Sequence, residues 1–302
     1  MHSVSNKYQQ GIALIQVLII AIILTMLGIF INQSVREQVG IAGYIQNNQK
    51  SELLLESAEA ELLHALLTNK RYSKQDSENE IVANWNFYGE PFNVRKGVEI
   101  VLQDLSGLLS INYMNQAVAA RLLEQLGHDE AQVRVFFDSL KDWKDEDDLK
   151  HLNGAESNYY QKLGKQIPRN NYLQSYDEVS NVRGGKLLTQ EQWQSYFSLG
   201  LISRFNPLNA PELLLKSFLN NEIIWQQVIE LRNQKQLNMS SFFQLTGIDE
   251  DEAITFTTGR KIKVNIIVKT EKNKISKSFQ VELRPNSTKR PVIISKIKWN
   301  EE

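Results

Sequence analysis

The sequence predicts an α+β fold: a long N-terminal helix packed on an antiparallel sheet, with a large all-helical insertion. Three observations predict it. An unbroken apolar run at 12–31 passes directly into an amphipathic pattern. Extended stretches lie at 85–105, the second of them alternating with period two, and period-two alternation returns from Lys261 to the end. Between them, 113–252 keeps helical periodicity almost throughout. Strands and helices grouped in that order argue α+β, not a parallel α/β sheet.

The apolar run reads IALIQVLIIAIILTMLGIFI. Twenty helical residues at about 1.5 Å each reach about 30 Å, the hydrocarbon thickness of a bilayer. The run carries no charge, and Gln16 and Thr25 are its notable polar breaks. A cleaved signal peptide has a shorter apolar core and a small-x-small site at its far end. Here the far side reads GIFINQSVREQVG, with no such site before the first charge. The apolar positions then continue through Val35, Val39, Ile41, Tyr44 and Ile45 to Leu53, Leu54, Leu55, Ala58, Leu62, Leu63, Leu66 and Leu67. That is a retained anchor leaving the membrane as an amphipathic helix. The polar leader, 1–11, is short, so a single-pass topology with the N-terminus inside is expected.

The segment 69–80 is polar and turn-like. Extended stretches follow at 85–94 and 97–105, the second alternating as GVEIVLQDL. Three strands close the chain, KIKVNIIVKT, KSFQVELR and RPVIISKIKW, with a turn at 271–274. The simplest packing lays these strands beside 85–105 over the soluble half of the first helix. The helical block is then an insertion leaving one sheet edge. The expected division is leader 1–11, membrane helix 12–31, one α/β domain from 32–112 and 253–302, and an inserted domain at 113–252. Within the insertion, INYMN at 111–115 and FNPLN at 205–209 each open a leucine-rich helical pair, a weak internal echo.

Net charge is −1 and cysteine is absent, so the whole chain has no nucleic-acid footprint and gives no redox reading. Charge is unevenly placed. Residues 129–156 hold nine acids and four bases, and 261–302 hold eleven bases and four acids. The basic tail reads as a solvated face with lysine-guarded edge strands. In the acidic stretch Asp142, Asp145, Glu146, Asp147 and Asp148 crowd together, with Gly154 and Glu156 just beyond. Crowded carboxylates raise one another's pKa unless a counter-charge intervenes. Hard oxygen ligands at short spacing suit Ca²⁺, although EF-hand phasing is absent. A solvated acidic loop is the alternative. The candidate ligands are Asp142, Asp145, Asp147, Asp148 and Glu156, with Asp177, Glu178, Asn170 and Asn171 in reserve.

Catalytic patterns are missing. His2, His64, His128 and His151 are scattered, and neither a P-loop nor a G-x-S-x-G occurs. An enzyme is therefore not expected. A rival reading takes 206–210, Leu214, Ile229, Arg232 and 242–248 as a membrane-tethered helix-hairpin-helix DNA-binding unit. That motif needs a glycine hairpin, and Asn220-Asn221 stands at the turn. The block is also poor in bases for phosphate binding.

A polar leader ending in Gly11 before a membrane-length helix resembles the prepilin signature. The soluble region resembles the minor pseudopilin K family of type II secretion. The stretches that carry this resemblance are LSGLLSIN at 105–112, LKDWKDED at 140–147, GAE at 154–156 with Tyr159 and Tyr160, and FNPLNAP at 205–211. The resemblance implies a pilin-like fold, calcium in the soluble domain and cleavage by a prepilin peptidase between Gly11 and Ile12. Gln16 stands where most pilins carry glutamate, and this family lacks that glutamate too. A neutral residue there suits a topmost subunit, with no overlying amino terminus to pair with; a tolerated amide in an ordinary anchor is the plainer account. The implied protein sits in the inner membrane with its C-terminal domain periplasmic. It caps a pseudopilus tip, with other minor pseudopilins beside it and the major pseudopilin below, and binds no nucleic acid. A minor pilin of a type IV pilus is the alternative that shares the anchor.

Overall fold

The structure is a computed structural model that describes residues 8–72, 76–200, 202, 204–271, 273–284 and 286–300, with side chains from residue 13 onward. Most of the expected leader, and the surroundings of the expected cleavage point at Gly11 and Ile12, therefore lie outside the described residues.

Helix α1 runs Tyr8–Thr68, 61 residues without a proline, about 90 Å at about 1.5 Å per residue. Its first half carries large apolar side chains that nothing in the chain covers, Leu14 and Phe30 among them. Among the described residues it is the helix long and apolar enough to cross a membrane. Further along, Leu55, Ala58, Leu62, Ala65 and Leu66 are fully buried. Their three-and-four spacing makes one stripe, which faces the sheet.

A short helix, α2 (Glu80–Asn84), follows, where sequence reading ends a loop and starts a strand. Asn79 caps it by accepting from the Ile81 and Val82 N–H groups. Trp85 is buried beyond it and donates from Nε1 to the Tyr72 carbonyl at 3.0 Å. Strands β1 (Tyr88–Arg95) and β2 (Val98–Asp104) form a hairpin. Its turn uses Gly97 at φ 78°, where a Cβ would press on the Lys269 carbonyl. The insertion contributes β3 (Leu109–Ser110), α3 (Gln116–Gln125), α4 (Glu130–Lys144), α5 (Ser157–Lys162), α6 (Tyr176–Asn181), α7 (Gln190–Tyr196), β4 (Phe197–Ser198), α8 (Glu212–Leu219), α9 (Glu222–Asn233) and α10 (Met239–Thr246). The chain ends in β5 (Lys261–Lys269), β6 (Lys274–Leu283) and β7 (Val292–Trp299).

The main sheet has the order β1-β2-β5-β6-β7, antiparallel throughout. Alternation fixes its faces: Ile262, Val264, Ile266 and Val268 point to α1 and are fully buried. The free edge of β1 is blunted. Pro91 has no N–H to offer, and the Asn86 side chain bonds both the N–H and the carbonyl of Glu90. The helical insertion also holds one small parallel ladder, β3 with β4, too short to leave an alternating pattern in the sequence.

Two hydrophobic cores result. One joins α1 and α2 to the sheet. The other lies inside the insertion, around Phe136, Trp143, Tyr160, Trp193 and Phe197. The two echo units meet there, because α3 packs against α8. The insertion does not leave a lateral sheet edge, as the sequence led us to expect. It leaves the end of β2 and returns to β5, its hydrogen-bonded neighbour. The tight β1–β2 hairpin puts β1 on one flank of β2, which leaves the other flank for β5.

At that neck Asp104 is fully buried. It accepts from the Ser106 N–H (3.0 Å) and hydroxyl (2.6 Å), Asn209 Nδ2 (2.8 Å) and the Gly259 N–H (3.0 Å). Gly107 must lack a side chain, since a Cβ would strike the Asn209 carbonyl. The LSG and NPLNA stretches of the sequence are thus two sides of one joint.

Candidate metal centre

The acidic stretch begins at the end of α4. A capping box between Asp129 and Gln132 starts this helix, and its apolar stripe buries Val133, Phe136, Phe137, Leu140 and Trp143. The same periodicity turns Asp142 inward, where it is fully buried. Its Oδ1 accepts from the His151 N–H at 3.0 Å and also meets His151 Nδ1. Its Oδ2 has no partner. Asp145 is the C-cap of α4, and its Oδ1 is likewise buried without a partner.

The chain then folds back. Asn153 donates twice to Asp138 Oδ2, from its N–H at 3.1 Å and its Nδ2 at 3.0 Å. Gly154 lies against Asp142, where any Cβ would collide with Oδ2. Arg183 Nη1 donates to the Gly154 carbonyl at 3.1 Å. This delivers Glu156, 6% exposed, with both carboxylate oxygens buried and unpartnered. One-atom ligands of Asp142, Asp145 and His151 lie within 4.8 Å of one another. Asn170 comes to the same helix end, its N–H donating to the Trp143 carbonyl at 3.1 Å, and its Oδ1 is a further buried orphan.

The electrostatics follow from this crowding. Burial first, then the charges of Asp142 and Asp145, push the Glu156 carboxyl above its ordinary range. Asp145 is pushed up by burial, then by Asp147 and Asp142. Among the described residues no lysine or arginine pairs with Asp142, Asp145 or Glu156, and the His151 ring is the one basic side chain against Asp142. Five buried oxygens without donors are costly unless something positive meets them. The donor set is hard oxygen from three carboxylates and an amide, which fits Ca²⁺. With an ion bound, His151 would orient Asp142 from behind, as partners of ligating carboxylates do.

The remaining candidates sit elsewhere. Asp147 is exposed and accepts from the Leu149 N–H at 2.8 Å. Asp148 is exposed and reaches Glu156 through its charge alone. Asp177 is exposed. Glu178 is buried but engaged: it accepts from Arg169 Nε (2.8 Å), Trp143 Nε1 (3.1 Å) and the Gln174 N–H (3.0 Å). Trp143 in turn stands edge-on to Tyr160, ring centroids 5.1 Å apart. Each member of the D-W-x-D…G-A-E…Y pattern therefore has a place in one structure. His151 had no sequence signal beyond its nearness to Gly154.

Other singled-out residues have structural employment. Arg232 is buried, donates to the carbonyls of Ala210, Pro207 and Leu208, and stacks on Tyr88 at 4.4 Å. It is turned inward, not toward a phosphate backbone. Gln16 is exposed on the membrane-length part of α1.

This architecture defines a class: a membrane-length helix that continues into a pilin-like α+β domain bearing a helical insertion. Residues 92–198 match the family model described as type II secretion system (T2SS), protein K. Type II secretion system protein K of Klebsiella pneumoniae is 28% identical over 195 residues. The match spans 59% of this chain and 59% of that one, so the chain covers about three fifths of its relative's length. The fold is also that of a crystal structure of the GspK-GspI-GspJ complex from the enterotoxigenic Escherichia coli type 2 secretion system. The likeness has TM-score 0.54 and 15% identity, and covers 85% of this chain and 98% of that one.

Proposed function

We propose that this chain is a minor pseudopilin of the type II secretion system. In this reading it caps the tip of the periplasmic pseudopilus that drives protein export across the outer membrane. The observation that carries the reading is the match of residues 92–198 to the protein K family model, in a chain that also has a membrane-length helix. The apolar half of α1 anchors the chain in the inner membrane, N-terminus cytoplasmic, with everything after it periplasmic. A prepilin peptidase removes the leader after Gly11. The role is structural, not enzymatic.

The bulk of the insertion supports the tip position. A subunit of this girth would obstruct stacking if repeated along a thin filament, whereas one copy at the end has nothing above it. Contacts that cannot propagate close an assembly at that point. Other minor pseudopilins are the partners beside it, as GspI and GspJ are in the solved complex, and the major pseudopilin lies below. Calcium held by Asp142, Asp145 and Glu156 ties α4 to α5 and keeps the insertion rigid.

Co-expression with the small pseudopilins of the same secretion system tests this. A defined complex with single-copy stoichiometry is expected. Cysteine crosslinks that place copies at regular intervals along the filament would overturn the tip assignment.

A further inference from the structure

The end of the sheet farthest from the membrane is crowded with cations. The β5–β6 turn lies low on α1, where Asn273 Nδ2 donates to Asn48 Oδ1 at 2.7 Å. The opposite strand ends lie high, where the Thr258 hydroxyl donates to the Arg71 carbonyl at 2.7 Å. That end stands about 55 Å along α1 from residue 31, at about 1.5 Å per residue.

Backbone bonds gather the charges there. The Leu283 N–H donates to the Arg260 carbonyl (2.8 Å), and the Arg284 N–H to the Pro291 carbonyl (2.7 Å). The Arg290 N–H bonds Ser287 Oγ at 3.2 Å and so folds Lys289 and Arg290 back beside Arg284. Arg260, Lys261, Arg284, Lys289, Arg290 and Lys296 are all exposed. An opening of about 350 Å³ lies between Arg260, Glu282, Arg284, Asn286 and Ser287.

One acid answers them. Glu282 takes Arg284 at 2.8 Å, and among the described residues no other carboxylate pairs with these six. Lys296, exposed as a residue but with its ammonium partly covered, is held below the usual lysine range first by that covering and second by the charge of Lys261. Three of the six are arginines, which shed water more easily than lysines and favour interfaces. A merely soluble surface would intersperse both signs.

We propose that this basic end of the sheet, centred on Arg260, Arg284 and Arg290, is a docking surface for an acidic face of a partner protein. A bilayer is out of reach, since 55 Å is several times the screening length of about 8 Å at physiological salt. Nucleic acid is disfavoured because the chain as a whole carries a net charge of −1. The inference rests on the fold and on α1 as the membrane span, and stands whether or not the chain caps a filament.

Full-length protein in neutral detergent is titrated into a fluorescent deca-glutamate peptide and read by anisotropy at low and at physiological salt. Saturable, salt-sensitive binding is expected. Arg260→Glu/Arg290→Glu should weaken it at least tenfold. Lys269→Glu/Lys274→Glu, the same charge change at the near end of the sheet, should shift it less than twofold. All these side chains are exposed, so folding is checked by an unchanged melting curve. Absent binding, equal loss in both double variants, or tighter binding of a duplex DNA oligonucleotide would overturn the proposal.

Discussion

Asn209 Nδ2 donates to Asp104 Oδ2 at 2.8 Å, joining residues 105 positions apart. The bond belongs to the joint between sheet and insertion. Asn209 Nδ2 also reaches Thr258 Oγ1 at 3.0 Å, so one amide touches both the outgoing and the returning chain. Replacing Asn209 with alanine should cost about 1–3 kcal/mol, because it leaves the buried Asp104 short of a donor. Asp104→Ala should cost more, since it orphans four donors at once. Denaturant midpoints measure both, and a change within error for Asp104→Ala would mean the joint contributes nothing.

Calcium should raise the melting point of the chelated protein. Stabilisation follows RT ln(1 + [L]/Kd), about 2.7 kcal/mol at a hundredfold excess over Kd. Asp142→Asn and Glu156→Gln should abolish the shift, whereas Asp147→Asn, at an exposed position, should largely keep it. Differential scanning fluorimetry with calcium and with EDTA separates these outcomes.

Acidity should act in opposite directions with and without the ion. Asp145 and Glu156 have raised carboxyl pKa values in the folded, ion-free chain. The folded state therefore holds protons that the unfolded chain releases. That contribution is full below the ordinary carboxylate range, near about 4, and is lost as pH rises through the raised values. In EDTA the midpoint contribution of this site should fall with rising pH. In excess calcium it should rise, because deprotonated ligands bind the metal. Parallel pH profiles of wild type and Glu156→Gln isolate the site's share.

Gly154→Ala should be among the most damaging small substitutions. The added methyl would occupy space now filled by Asp142 Oδ2. Either Asp142 turns away or the loop shifts, and the calcium-dependent rise in melting point should shrink or vanish. A normal calcium response in this variant would place the ion elsewhere.

Processing gives a direct reading of the N-terminus. Protein extracted from membranes should begin at Ile12, as intact mass or N-terminal sequencing will report. A chain cut after residue 31 would contradict a retained anchor.

Much of this was legible because period and length carry it. The apolar run and its amphipathic continuation became α1, and the alternation of KIKVNIIVKT became a strand with its apolar side on that helix. Elements decided by tertiary context were not legible. Helix α2 is five residues held by the Asn79 cap and by burial of Ile81 and Val82. The β3–β4 ladder pairs residues far apart in sequence and has no period of its own. The acidic stretch showed crowding but not geometry. Charge density could not tell the inward Asp142 from the exposed Asp147, because helical phase at the end of α4 decides it. The part of His151 needed the chain to fold back on itself.

The insertion's position between two neighbouring strands bears on how such a molecule changes over time. The Gly259 N–H bonds Asp104 across 155 residues, so the long excursion starts and finishes at one spot. Closing a loop costs only about 0.6 kcal/mol more for each doubling of its length. The excursion can therefore lengthen, shorten or exchange its contents while the strands on either side keep their register. Natural selection can reshape the head for a new neighbour without renegotiating the shaft that carries it.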